Sequence, residues 1–247
     1  MSKDFDLVTG GAGFIGSHLA EGLLEKGRKV IVLDNFSSGK KENIQELAEN
    51  YQGSFELVEG DIRDRNLCSR LAERSEVIFH LAAIPSVQYS IDFPSEVNSV
   101  NVDGTLSVFD SARKGGVKTV VFASSCAVYG DSENLPLAES EPPRPMSPYA
   151  VSKLTDEFYS RVFSEIYDFS STAMRFFNVF GPRQDPTSDY AAVIPRFVTR
   201  MLSGKPPIIY GDGEQSRDFI FVKNIVAANL AAAEAAGSGI KVNIGTG

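Results

Sequence analysis

The chain has 247 residues, 43% hydrophobic and 23% charged, enough to bury a full core as one large α/β domain or two small ones. A net charge of -8 argues against meeting nucleic acid or an anionic membrane through bulk charge, so any anionic ligand must be gripped by local devices. No apolar run approaches the ~18 residues of a membrane helix, and Met1 to Phe5 lead straight into a strand pattern without signal-peptide texture. Cys68 and Cys126, with His18 and His80, are too scattered for a zinc cluster; no metal is expected, and the low cysteine count fits a reducing, cytoplasmic compartment.

In chain order, runs rich in Val, Ile, Leu and Phe predict strands at Phe5 to Thr9, Val30 to Asp34, Phe55 to Val58, Val77 to Ala82 and Val120 to Ser124. Stretches of helical period lie between them, clearest in Phe14, Ile15, Leu19 and Leu23, and in Val102, Leu106 and Phe109. That alternation predicts a doubly wound parallel α/β sheet of Rossmann type. A further strand, Thr172 to Phe176, leads into a Gly/Pro-punctuated loop from Gly181 to Pro186. Beyond it the pattern predicts a helix from Pro195 to Leu202, short strands around Ile208 to Tyr210 and Phe219 to Phe221, an Ala-rich helix from Ile225 to Ala236, and a last strand from Lys241 to Ile244. The expected division is a dinucleotide-binding domain over 1–176 and a smaller, incomplete substrate-binding lobe over 177–247. Segments at about 218–244 would return to the main sheet, the lobe lying over the strand ends where open α/β sheets bind ligands.

The turn after the first strand reads Thr9-Gly10-Gly11-Ala12-Gly13-Phe14-Ile15-Gly16, with glycines at 10, 13 and 16. Such spacing permits a tight turn, close approach of backbone to a pyrophosphate, and a helix N-terminus whose free N–H groups face the phosphates. Glycines alone could be an ordinary βα turn, but here they join a strand to an amphipathic helix, and Asp34 closes the next strand. A carboxylate there accepts from ribose hydroxyls and repels a 2'-phosphate, which argues for NAD over NADP. No Gly-Lys-Ser/Thr follows, so the loop is not a P-loop.

The fifth strand ends in Ser124-Ser125, and Tyr149-Ala150-Val151-Ser152-Lys153 follows Pro148. Tyrosine and lysine four apart share a helix face, so the ammonium can sit beside the phenol or a cofactor ribose and favour the phenolate. A free phenol, with a pKa of about 10, is a poor base near neutrality without such help. An isolated Tyr-x-x-x-Lys is cheap, usually a solvated helix pair; behind a dinucleotide fingerprint and a strand-end serine it points to catalysis.

TGGAGFIGSHL, Asp34-Asn35, Gly60-Asp61-Ile62, His80 to Ala83, Asn101 to Thr105, SSCAVYG, SPYAVSK, RFFNVFGPRQDP and GDGEQSRDFIFV occur in this order. Together they make the chain resemble the extended short-chain dehydrogenase/reductase family, and within it the UDP-glucose and UDP-N-acetylglucosamine 4-epimerases. The resemblance implies that Gly10, Gly13, Phe14, Ile15 and Gly16 form the pyrophosphate turn, Asp34 and Asn35 hold the adenosine ribose, and Asp61 and Ile62 flank the adenine. It implies Leu81, Ala82 and Ala83 along the nicotinamide side, Asn101 supporting the catalytic hydrogen bonds, and Ser125, Tyr149 and Lys153 as catalytic residues. Ser125 and Tyr149 would meet the sugar 4-hydroxyl and Lys153 the nicotinamide ribose; Ser124, also on the cofactor side, is the register alternative to Ser125. On the substrate side it implies Ser86 at the sugar or diphosphate, Asn178 and Arg217 at the diphosphate, Val193 at the uracil edge and Tyr210 stacked on the uracil face. Without the resemblance, Tyr210 reads as a packed strand aromatic and Arg217 as a surface ion pair.

Related 4,6-dehydratases resemble one another in an Asp-Glu pair after the catalytic Ser/Thr, and decarboxylases keep the Glu; here Cys126-Ala127 stands there. Cys126 reads as a small buried filler. Oxidation at C4 and its reversal is the chemistry those positions leave, so the implied enzyme is an NAD-dependent UDP-sugar 4-epimerase. Another nucleotide-sugar-modifying member of the family (a 4,6-dehydratase, decarboxylase or reductase) and a non-catalytic NAD-binding protein are the alternatives; a serine hydrolase lacks a G-x-S-x-G elbow and a histidine partner. RFFNVFGPRQDP followed by Tyr190 to Pro195 leans toward an N-acetylhexosamine substrate. The family also implies a homodimer through the helix carrying Tyr149, where Leu154, Phe158 and Phe163 offer apolar positions, and a chain continuing several dozen residues past Gly247.

Overall fold

The computed structural model describes residues 3–167, 169–186, 193–209, 211–235 and 237–247. Its elements run β1 (Phe5–Thr9), α1 (Phe14–Glu25), β2 (Lys29–Asp34), α2 (Gln45–Asn50), β3 (Phe55–Glu59), α3 (Arg65–Ala72), β4 (Ser75–His80), α4 (Val87–Asp92), α5 (Pro94–Asn98), α6 (Gly104–Gly115), β5 (Thr119–Ser125), α7 (Pro148–Tyr167), β6 (Ser171–Phe176), β7 (Asn178–Phe180), α8 (Val193–Leu202), β8 (Phe219–Phe221), α9 (Val222–Ala235) and β9 (Ser238–Ile244). A single π-helical turn, Ser99–Asp103, joins α5 to α6.

Seven strands form one parallel sheet in the order β3-β2-β1-β4-β5-β6-β9, and β7 and β8 form a separate parallel pair. This is the predicted doubly wound α/β sheet. Its direction of progression reverses between β1 and β4, which opens a crevice beyond the strands' C-terminal ends. Alternating side chains bury both faces: Val8, Val30, Val32, Phe79 and Val121 pack toward Leu19 and Leu23 of α1 and Ile225 of α9. Leu7, Ile31, Leu33, Ile78 and Phe122 pack toward Val108, Phe109 and Ala112 of α6. Double burial explains why these strands read as continuous apolar runs.

Several boundaries shift. The fourth strand covers Ser75–His80, because the chain turns off the sheet at Leu81 to run past the glycine loop. The last strand starts at Ser238 and pairs with β6 throughout; α9 starts at Val222, and Ala236 lies outside the described residues. No strand forms at Ile208 and Ile209, which are exposed and unpaired; their apolar run lacks a neighbouring edge. The strand that does pair with β8 is β7, Asn178–Phe180.

Candidate active site

The glycine loop follows from packing. Gly10 has φ +70, and a Cβ there would sit 2.7 Å from the Ala82 nitrogen; at Gly16 a Cβ would come 2.1 Å from the Gly10 carbonyl oxygen. Only glycine lets α1 start this close to β1 and to the strand-end segment at Leu81-Ala82. Gly13 takes the N-cap position without a side-chain cap, so the first-turn N–H groups, Phe14 and Ile15 among them, are left for an incoming acceptor. Asp34 locks the loop from the side: its Oδ2 accepts from the Ala12 N–H at 2.9 Å and its Oδ1 from the Phe36 N–H at 2.8 Å. Burial pushes this carboxyl up, and the two backbone donors oppose the rise.

Asn35 and Asp61 meet across the crevice, Asn35 Nδ2 donating to Asp61 Oδ2 at 3.1 Å, while the Arg63 fork on Asp61 holds that carboxyl down near about 2. Ile62 is buried in the core, its side chain against Gly104. Leu81, Ala82 and Ala83 stand half-buried beside the loop, the Leu81 N–H bonding to the Thr9 carbonyl at 3.1 Å. These residues fit a dinucleotide: a steric cradle that a Cβ would fill, a helix start offering free N–H groups, and a carboxylate where an extra phosphate would be repelled.

The reactive side chains come from β5 and α7. Ser147 caps α7, its Oγ accepting from the Ala150 N–H at 3.1 Å, and Pro148 opens the first turn. The helix turns Lys153, Asp156, Glu157 and Ser160 inward. Ser125 Oγ caps the short turn after β5, accepting from the Ala127 N–H at 3.1 Å, and faces the Tyr149 phenol. Ser124 is turned under the sheet, donating to Glu157 Oε1 at 2.6 Å in a buried setting. The register alternative is thereby corrected: Ser124 has only its backbone to offer the crevice, because its hydroxyl belongs to α7.

Glu157 also takes both arms of the Arg175 guanidinium, at 2.8 and 2.6 Å, and Arg175 stacks over the Tyr129 ring. This buried pair ties β5, β6 and α7 beneath the site. Neither residue was singled out from the sequence, although a charge inside the apolar run of β6 signals a buried partner.

Burial pushes the Tyr149 phenol up to about 12; Ser125 opposes the rise and the negative charge of Asp156 adds to it. The Lys153 ammonium lies 3.8 Å from Asp156 Oδ2, and both groups are buried. Burial also pulls Lys153 down, opposed by Asp156.

Buried polar groups connect Lys153 to the glycine loop. His80, at the end of β4, bonds Thr9 Oγ1 through Nδ1 at 2.7 Å and Thr105 Oγ1 through Nε2 at 3.0 Å. Burial, with a smaller push from Lys153, drives His80 down to about 3, so it is neutral. Asn101 sits in the π-helical turn, where an extra backbone residue aims its amide across the helix face. Its Oδ1 accepts from the Ile84 N–H at 2.8 Å, and its Nδ2 donates to the Ile84 carbonyl and to Ser152 Oγ, both at 3.1 Å. The segment carrying Leu81 to Ala83 is thus clamped to α7. Thr9, His80 and Thr105 fall within the sequence motifs without a role of their own there, and Asp156 lies outside them.

The substrate-side candidates gather less tightly. Ser86 caps α4, its Oγ accepting from the Tyr89 N–H at 3.0 Å with its own proton free to donate. Asn178 opens β7 and donates through Nδ2 to the Asp218 carbonyl at 3.0 Å. Val193 is exposed at the start of α8; Arg217 is exposed too, its charge reaching Cys126 beside Ser125. Tyr210 and Tyr190 to Ala192 lie outside the described residues. Cys126 is half-buried, and burial pushes its thiol up, away from nucleophilic use.

The sequence profile of the NAD dependent epimerase/dehydratase family matches residues 7–245. The UDP-glucose 4-epimerase of Mycolicibacterium smegmatis is 44% identical over 243 residues, 98% of this chain and 77% of that protein. Among solved structures, the UDP-N-acetylglucosamine 4-epimerase from Methanobrevibacter ruminantium M1, in complex with UDP-N-acetylmuramic acid, superposes with a TM-score of 0.92 at 43% identity, covering 99% of this chain and 77% of that one. The UDP-glucose 4-epimerase of Thermus thermophilus in its complex with NAD gives a TM-score of 0.88 at 37% identity, covering 98% and 78%. With the glycine cradle, the Asp34 lock and the match over nearly its whole length, the chain belongs to the NAD-dependent epimerase/dehydratase family.

Proposed function

We propose that this chain catalyses the 4-epimerisation of a UDP-hexose or UDP-N-acetylhexosamine through a transient 4-keto sugar. The observation that carries the reading is the meeting of Ser125 and Tyr149 at the end of β5, with Cys126 and Ala127 in place of an elimination acid and base. NAD, when bound in the glycine cradle, supplies the hydride acceptor and a positively charged ring. Phe14, Ile15 and the neighbouring loop N–H groups hold its phosphates, Asp34 and Asn35 its ribose, Asp61 and the Ile62 backbone its adenine edge, and Ala82 and Ala83 its inner ring.

In this reading Tyr149, as the phenolate, takes the 4-hydroxyl proton as the sugar is oxidised, with Ser125 positioned to pass or steady it. Tyr149 returns the proton when the keto sugar has presented its other face. In the chain without NAD, burial pushes the phenol up to about 12 and keeps its proton on; the positive ring of bound NAD would favour the phenolate. Lys153 supplies local positive charge on the ribose side, and Asn101 keeps the segment beside it in register. Ser86, Asn178, Val193, Tyr210 and Arg217 are assigned to the diphosphate and uracil, with 177–247 acting as part of a substrate-binding lobe. We infer a homodimer through α7: Val151, Phe158, Val162 and Ile166 form an exposed apolar stripe at helical spacing, next to exposed Ile91 and Phe93. Phe163, by contrast, is spent internally, its ring tilted against Phe109 and edge-on to Phe169.

The test is to identify the nucleotide released from purified protein and to assay UDP-glucose and UDP-N-acetylglucosamine with the parent and Tyr149→Phe. NAD is expected from both proteins, and turnover is expected to fall by at least ~100-fold in the variant. Undiminished turnover in the variant, or stoichiometric consumption of soluble NAD(H), defeats the reading.

A further inference from the structure

Asp156 lies on the inward face of α7, 1% exposed, and neither carboxylate oxygen has a hydrogen-bond partner among the described residues. Thr105, from α6, lies alongside, but its hydroxyl proton goes to the Asn101 carbonyl and its oxygen receives the His80 Nε2–H. With that proton on Nε2, Nδ1 is the acceptor for Thr9, and His80 is neutral. Two charges face Asp156. One is Lys153, whose Nζ is 3.8 Å from Oδ2; the other is Glu157, whose own charge is taken up by Arg175 from β6. From β5 and the start of α7 the facing groups are Ser125 and the Tyr149 phenol, which Asp156 disfavours as an anion.

A buried carboxylate is expensive to keep charged, and the Lys153 ammonium is the counter-charge that offsets this cost. We propose that Asp156 is a positioning residue for the reaction, a buried counter-charge that holds Lys153 and limits how strongly its ammonium favours the Tyr149 phenolate. The inference deepens the proposed function and rests on it for the identity of Tyr149 as the proton carrier. Physically, a carboxylate beside the ammonium makes the pair nearly neutral as seen from the phenol; protonating or removing it exposes a full positive charge. Burial raises this carboxyl, opposed by Lys153, so the counter-charge is fully present at high pH and fades as the pH falls.

The experiment is a pH titration of NAD-loaded protein carrying tyrosine labelled with carbon-13 at Cζ, with Tyr149→Phe assigning the resonance and Asp156→Asn compared with the parent. The Tyr149 midpoint is expected to fall by about one pH unit or more in Asp156→Asn, with the acid limb of the turnover profile moving the same way. An unmoved or raised midpoint overturns the proposal, since a merely structural aspartate would change stability and leave the phenol alone. If Asp156→Asn does not fold, Asp156→Ser enters the same titration with the same two outcomes. A lowered midpoint in a protein that turns over no sugar keeps the counter-charge and removes the epimerase reading; turnover with an unmoved midpoint does the reverse.

Discussion

Asp34→Ala is the sharpest probe of the cofactor loop, because one carboxylate holds two backbone donors there. The Ala12 N–H, bonded at 2.9 Å, belongs to a residue with no exposed surface, so losing its acceptor leaves it dry. That costs about 1.5–3 kcal/mol for a bond to a charged acceptor. The Phe36 N–H, bonded at 2.8 Å, is nearer solvent and loses roughly 0.5–1.5 kcal/mol. Phe36 itself sits at φ 56, a conformation a side chain rarely holds unaided, so the turn should relax when the bond goes. If the loop must be re-ordered to bind, about 2–4 kcal/mol is drawn from the cofactor, weakening NAD roughly 30- to 1,000-fold. Asp34→Asn keeps one carbonyl acceptor and should lose about half as much on a logarithmic scale; without the negative charge it should also narrow the preference for NAD over NADP. Calorimetric titration of both nucleotides against the three nucleotide-stripped proteins measures this. Binding of NAD by Asp34→Ala within about threefold of the parent would refute the argument.

Arg175→Met leaves Glu157 buried with Ser124 as its remaining donor, and should cost about 3–5 kcal/mol, or roughly 6–20 °C in Tm for a chain of this size. The double replacement Arg175→Met with Glu157→Leu should recover most of that loss in scanning calorimetry, as expected when the penalty is a stranded charge. Phe158→Glu puts a charge on a side chain that is 50% exposed, so the fold should stand. Sedimentation equilibrium should then show a monomer, against the dimer proposed for the parent.

Central strands were legible because parallel strands buried on both faces admit few alternatives to apolar residues; the glycine turn was legible because a Cβ at Gly16 has nowhere to go. Three-residue β7 was not, since its partner β8 lies far along the chain and no local pattern announces a non-local pairing. Ile208 and Ile209 mislead for the opposite reason: local composition suits a strand that has no edge to join. Asp156 and Glu157 look like solvated helix charges, yet Asp156 falls seven positions after Tyr149 and three after Lys153, on the same helical face. That spacing is the sequence's own sign of the counter-charge. Where a single hydroxyl goes, Ser124 to α7 and Ser125 to the crevice, is decided by the pleat of β5 and by Arg175 below it.

The pairing of β9 with β6 has a consequence for biosynthesis. β6 is buried along its whole length, and one of its two edges is covered by a strand made much later. At about 5–20 residues per second, the ribosome leaves this hydrophobic border without its neighbour for on the order of ten seconds. During that interval the nascent polypeptide presents open backbone amides and carbonyls to any passing strand, so its yield in the cell should depend on chaperone supply more than its finished stability would suggest.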